Sequence, residues 1–139
     1  MKKIEQNFSK YADTYDIYCT VQKNIAKELV NKLNLPFIPG NILEIGCGTG
    51  NYTMLLREKF PNALIDSIDI SLAMLEKAKN KISDYKITFF QQDAQNFNTN
   101  QKFDLITSNA TFQWFNDLPA TLKKITNLFD SQKPNVLFF

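Results

Sequence analysis

The 139-residue sequence contains no histidine. That excludes an imidazole general base and histidine metal ligands within this chain. Cysteine is almost as scarce. The 2 present, Cys19 and Cys47, do not make a disulfide framework and fit a reducing compartment, so a cytoplasmic location is expected. No stretch approaches the roughly 20 apolar residues that a membrane-spanning helix needs. The opening segment, MKKIEQNFSKYADTYD, lacks the apolar core of a secretory signal. Charge of one sign is missing too: the net charge is +2, and neither half carries a polybasic patch of the nucleic-acid-binding kind. There is no internal repeat and no low-complexity tract.

Glycine is the most informative scarcity. Of 4 glycines in the chain, Gly46, Gly48 and Gly50 fall at alternate positions in ILEIGCGTGNY, right after a short apolar run. Glycines gathered in this way mark a place where something comes close to the backbone.

The pattern around them is regular. Phe8, Tyr11, Tyr15 and Tyr18 share one side of a helical turn, and Val21, Ile25, Leu29 and Leu33 form a stripe that Ala26 and Val30 widen. Pro36, Pro39 and Gly40 break this helical segment, which gives a boundary between residues 1–39 and 40–139. Beyond it, NILEIG, ALIDSIDI, KITFFQQD, FDLITSNA and NVLFF read as strands. Helices are predicted over Thr49–Phe60 and Leu72–Ile82, the latter capped by Ser71 with Leu72, Leu75, Ala78 and Ile82 inward. A further helix opens at Asp117 and Pro119, with Leu122, Ile125 and Phe129 on one face. Strands alternating with helices predict an α/β fold: a Rossmann-like, doubly wound parallel sheet. Such sheets bind ligands beyond the carboxyl ends of their strands. Four polar elements fall at predicted strand ends: Glu44 to Gly50, Asp69, Asp93, and Ser108 to Trp114.

The spacing G-x-G-x-G differs from the dinucleotide fingerprint, whose third glycine would stand at Asn51, and no Gly-Lys-Ser/Thr follows as in a P-loop. Glu44, two residues before the first glycine, would repel a pyrophosphate but suits a ligand bearing positive charge. S-adenosylmethionine has an ammonium, a sulfonium, and a carboxylate that loop amides at a helix N-terminus can receive. Asp69, on the next strand, suits the hydroxyls of a ribose, and Asp93 lies where an adenine amino group could donate. Each acid also has a structural reading: Glu44 with a local partner, Asp69 as a helix cap, Asp93 as a loop acid.

ILEIGCGTG followed by IDIS and QDA resembles the class I S-adenosylmethionine-dependent methyltransferases, and the resemblance runs from Asn41 to Phe139. It implies S-adenosylmethionine as cofactor and S-adenosylhomocysteine (SAH) as product. It implies cofactor contacts from Glu44, Gly46, Gly48, Asp69, Ser71, Asp93 and Ala94, with no metal. FSKYADTYDIYCTVQKNIAKEL resembles the malonyl-acyl-carrier-protein O-methyltransferases of biotin synthesis, and SNATFQWFNDL resembles these and the trans-aconitate methyltransferases. In the first family, a pattern filled here by Phe8, Ala12, Tyr15 and Asp16 covers the cofactor. By this resemblance residues 1–39 form a helical cap, with Tyr11 and Tyr15 as a lid. Asn109 and Ala110 lie beside the cofactor, and Tyr15, Gln113 and Trp114 face the acceptor. Phe8 and Phe115 read as packing.

The implied acceptor is a free carboxylate, either malonyl-acyl-carrier protein or a small molecule, with neither nucleic acid nor membrane as partner. A carboxylate is ionised at neutral pH and attacks without a base, so positioning suffices. Lys23, Lys27 and Lys32 read as a solvated face or a dock for an acidic carrier. The resemblance also implies more sheet and an inserted lid beyond Phe139, so that the chain looks C-terminally truncated. The exposed fifth strand would then invite self-association through its edge. Two other readings stay open: a cofactor-binding module without turnover, and an NAD-dependent oxidoreductase, with which Asn51 and Glu44 conflict.

Overall fold

The computed structural model describes residues 20–109 and 115–138. Helix α1 (Thr20–Lys32) is followed by β1 (Asn41–Ile45), α2 (Asn51–Lys59), β2 (Leu64–Asp69) and α3 (Leu72–Lys81). Then come β3 (Ile87–Gln91), β4 (Leu105–Ser108), α4 (Leu118–Thr126) and β5 (Val136–Phe138). The strands pair in parallel in the order β3-β2-β1-β4-β5, the doubly wound arrangement that the alternating pattern predicts. The order switches at β1: the chain builds outward to β3, then returns to set β4 against the other side of β1. A crevice at the carboxyl ends follows from that switch.

Successive side chains of a strand point to opposite faces. On one face Ile42, Ile65 and Leu105 stand in register across β1, β2 and β4. They share a buried cluster with Ala26, Val30 and Leu33 from the α1 segment and with Tyr52 and Leu56 of α2. On the other face Leu43, Ile45, Ile68 and Ile106 pack with Phe97, Phe103 and Ile125, the last from α4. Phe115 packs against this second cluster, as its packing reading expects.

Two helices are rotated from their sequence stripes. In α1 Ile25 is 44% exposed, and Ala26, Val30 and Leu33 supply the buried line. In α3 Leu72 is 49% exposed, while Met74 joins Leu75 and Ala78 inside. The cause in α3 is its cap. Ser71 is buried and its Oγ accepts the Met74 amide at 3.3 Å, which fixes the phase of the first turn and leaves Leu72 outside. Asp117 caps α4 through the Ala120 amide at 3.1 Å, with Pro119 in the first turn, as the sequence predicts.

The amino end of the sheet is closed by side chains. Asp104 is buried, and its two oxygens accept the amides of Gly40 and Asn41, each at 2.9 Å, tying the approach to β4 to the start of β1. Arg57 Nη1 donates to the carbonyls of Phe60, Pro61 and Ala63 at 3.0, 3.2 and 2.8 Å, and its Nε lies 2.8 Å from Asp84. These bonds hold the turn from α2 into β2. No helix among the described residues is long and apolar enough to cross a membrane.

Candidate functional site

β1 runs straight into the glycine loop. Gly46, Gly48 and Gly50 all have positive φ, at 73°, 54° and 93°. This is backbone that other L-residues adopt at a cost. A second requirement separates two of them. A Cβ at Gly50 would lie 2.9 Å from Ile82 Cδ1 and 3.3 Å from Ala78 Cβ, so the close neighbour there is α3. Among the described residues a Cβ at Gly48 would meet nothing within 4 Å, so that part of the loop is open.

The loop amides do not all behave as the sequence predicts. Gly46 and Cys47 both donate to the Ile68 carbonyl, at 2.8 and 3.1 Å. Gly48 donates to Asp69 Oδ2 at 2.8 Å, and Gly50 to the Cys47 carbonyl at 3.0 Å. Three amides expected to meet a ligand instead fasten the loop to the tip of β2. What the loop presents is bare main chain at Gly48, placed where β1 ends.

The remaining strand tips gather beside it. Asp69 accepts the Gly48 amide through one oxygen and the Ser71 amide through the other, at 2.8 and 2.9 Å. Its place next to the loop is thus observed, while the helix cap expected of it falls to Ser71, whose amide it holds. The Gln92 amide donates to the Asp69 carbonyl at 3.0 Å, which draws the end of β3, and Asp93 after it, to the tip of β2. Asp93 is half-buried and accepts the Gln95 amide at 2.9 Å. Gln95 in turn accepts the Asn116 amide at 3.0 Å, while Lys124 of α4 reaches the Gln95 carbonyl at 3.2 Å. Asn109, just past β4, lines a small cleft with Gly46, Gly48, Thr49 and Tyr52.

Two other residues expected at the cofactor have buried side chains. Ser71 is fully buried and its hydroxyl serves as the α3 cap, and the Ala94 methyl packs in the core with Ile68 and Phe97. Tyr11, Tyr15, Ala110, Gln113 and Trp114 lie outside the described residues, as do Phe8, Ala12 and Asp16.

Glu44 is the largest surprise. It is 1% exposed, on the same sheet face as Ile42 and one rung closer to the loop. Its register partners are Ser67 on β2 and Thr107 on β4, so a polar row crosses three strands where the row below is apolar. The Thr53 and Ser67 hydroxyls donate to Glu44 Oε1, the latter at 2.9 Å, and the Tyr52 and Thr107 hydroxyls bond to each other at 2.7 Å. The row therefore holds the first turn of α2 by hydrogen bonds. Burial pushes Glu44 up to about 7, against the lowering by Thr53 and Ser67 and with a further push from Asp69. Glu44 stands behind the loop with local partners, as the structural reading of this acid expects. Burial also raises the Tyr52 hydroxyl and the Cys47 thiol. Tyr52, Thr53, Ser67 and Thr107 were not singled out by sequence. For Ser67 and Thr107 the signal was a hydroxyl residue interrupting the apolar runs LIDSIDI and DLITS at the level of Glu44.

Residues 42–132 match the family model described as a methyltransferase domain. The chain belongs to the methyltransferase domain family. Among curated relatives, a malonyl-[acyl-carrier protein] O-methyltransferase of Priestia megaterium is 44% identical over 124 residues, covering 88% of this chain and 45% of the relative. A malonyl-[acyl-carrier protein] O-methyltransferase 1 of Ilyobacter polytropus is 44% identical over 130 residues, covering 93% of this chain and 48% of the relative. The chain thus spans about half the length of the curated relatives it matches. The fold is similar to that of DesVI from Streptomyces venezuelae, with TM-score 0.72 at 19% identity over 91% of this chain and 55% of that one. It is also similar to a coclaurine N-methyltransferase bound to N-methylheliamine and SAH, with TM-score 0.70 at 16% identity over 84% of this chain and 34% of that one. The methyltransferase domain accounts for the glycine loop without the NAD-dependent alternative. Among the described residues no cluster of His, Cys, Asp or Glu is arranged to hold a metal ion.

Proposed function

We propose that this methyltransferase domain binds S-adenosylmethionine across the tips of β1, β2, β3 and β4. It would serve transfer of a methyl group to the free carboxylate of a malonyl group carried on acyl-carrier protein, a step of biotin synthesis in the cytoplasm. The observation that carries the cofactor assignment is the open space over Gly48, with the Asp69 carboxylate bonded to that same residue. A ligand can approach the main chain there, and any side chain at Gly48 would enter its space.

In this reading Gly46 and Gly48 form the floor, Asp69 meets the ribose hydroxyls and Asp93 the adenine. Asn109 closes the cleft on the β4 side. Tyr11 and Tyr15, within the cap formed by residues 1–39, cover the cofactor, while Ala110, Gln113 and Trp114 lie between cofactor and acceptor. When bound, the cofactor supplies an electrophilic methyl group. The chain's own residues orient the two reactants and exclude water. An ionised carboxylate acceptor needs no base, which matches a sequence without histidine. The malonyl acceptor is supported by the names of the relatives at 44% identity. The exposed Lys27 and Lys32 on α1 suit an acidic carrier.

Calorimetry of the chain with SAH tests the cofactor assignment, and absence of binding refutes it. Incubation with methyl-labelled cofactor tests the acceptor, with malonyl-acyl-carrier protein and trans-aconitate offered in parallel. Label on the carrier protein supports the malonyl reading. Label on aconitate overturns it, and cofactor binding without transfer to either leaves the chain a binding half without turnover.

A further inference from the structure

Among the described residues no cation bonds to the carboxyl group in the buried row beneath the glycine loop; the Lys81 ammonium reaches the loop at Thr49 and Asn51, at 3.4 and 3.0 Å. Glu44 is held by the hydroxyls of Thr53 from α2 and Ser67 from β2, and Thr107 stands in register with it on β4. Among the described residues, the titratable groups that act on it are Asp69 at the tip of β2, Cys47 in the loop and Tyr52 on α2. None of these is cationic. A buried carboxyl facing a second carboxylate, with hydroxyl donors alone, holds its proton until a positive charge arrives. The bare backbone at Gly48, in the loop directly above, is where a ligand can bring one.

We propose that Glu44 determines the site's charge preference, releasing its proton to solvent when the loop takes a cationic ligand and keeping it when the ligand is neutral. This rests on the cofactor reading above. S-adenosylmethionine carries one net positive charge at its sulfonium, and SAH carries none. The site therefore prefers cofactor over spent product, and the preference grows as pH rises through the range in which Glu44 ionises. The burial of Glu44, which holds it near pH 7, places that range at neutrality. Thr53 and Ser67 are the positioning residues, since their hydroxyls set how readily the carboxyl ionises.

The test is calorimetry of the 139-residue chain at pH 7 in buffers of different ionisation enthalpy, with S-adenosylmethionine and SAH as probes. Parent and Glu44→Gln chains are compared, because the ligand's own amino group titrates alike in both. The expected difference is release of about half a proton per S-adenosylmethionine in the parent, and no difference with SAH. The ratio of the two affinities should rise about tenfold in all between about pH 6 and 8 in the parent alone, most steeply below pH 7. Equal release by parent and Glu44→Gln, or equal release with both ligands, overturns the inference while leaving the cofactor assignment standing. Failure of both ligands to bind overturns the two together. Should Glu44→Gln not fold, Thr53→Val carries the test: loss of one hydroxyl bond moves proton release to higher pH, and an unchanged pH profile overturns the proposal.

Discussion

Asp69 holds the Gly48 amide at 2.8 Å with one carboxylate oxygen and the Ser71 amide at 2.9 Å with the other. One side chain thereby fixes both the bend after β1 and the entry to α3. Charge-assisted bonds of this kind contribute about 1.5–3 kcal/mol each when intact, less where solvent reaches them. Asp69→Ala is expected to lower stability by about 1–3 kcal/mol in chemical denaturation, and to weaken SAH binding at least tenfold by calorimetry. Asp69→Asn keeps one acceptor oxygen and should retain most of the stability while still losing affinity.

Gly48 and Gly50 are expected to respond differently to alanine. At Gly48 the cost is backbone strain, about 1–2 kcal/mol, with SAH affinity falling because the methyl enters the open space. At Gly50 the same strain adds to a contact of 2.9 Å with Ile82, so Gly50→Ala should be the less stable variant. Ile82→Ala should recover part of the loss in the Gly50→Ala background and none in the Gly48→Ala background. Thermal denaturation of the five chains, parent included, decides it.

Glu44 gives the fold a pH dependence of definite sign. Its proton is held to about pH 7 in the folded chain against an ordinary value of 4.5. Folding therefore favours the protonated form. The associated stability is complete below about pH 4.5 and is lost as pH rises through about 7, a swing of about 3 kcal/mol. Glu44→Gln keeps an acceptor for Thr53 and Ser67 without the proton. It should be more stable than the parent at pH 8 and should lack this part of the profile, measured as unfolding free energy against pH.

Asp104 supplies a contrasting position at the opposite end of the strands. Removing its bonds to Gly40 and Asn41 with Asp104→Ala should cost about 2 kcal/mol of stability. SAH affinity, read by calorimetry at a temperature where the variant is folded, should stay as in the parent.

Much of this architecture was legible in the residues. The alternation after Asn41, the caps Ser71 and Asp117, and the break at Pro39-Gly40 come from local chemistry, which a sequence displays directly. Asp69 was legible as a neighbour of the glycine loop because its distance from the glycines is set by one helix between two strands. The use of the loop amides was not legible, since their partner, the Ile68 carbonyl, belongs to a neighbouring strand. The surroundings of Glu44 were not legible for a similar reason. Its position two residues before Gly46 shows that it is near the tip, but not that Thr53, Ser67 and Thr107 would surround it. Sequence alone likewise could not divide the roles of Gly48 and Gly50, because Ala78 and Ile82 lie a helix away.

The abutment of Gly50 on Ala78 and Ile82 makes α3 a spacer for the whole loop. That helix meets the ligand crevice with no side chain assigned to binding, yet its surface dictates how deep the bend after β1 can sit. Enlarging Ala78 would lift the bend as surely as altering the bend itself. Adaptation of this crevice to a bulkier or smaller nucleoside could thus arise from changes two turns along α3, on a surface that packs against the bend at Gly50.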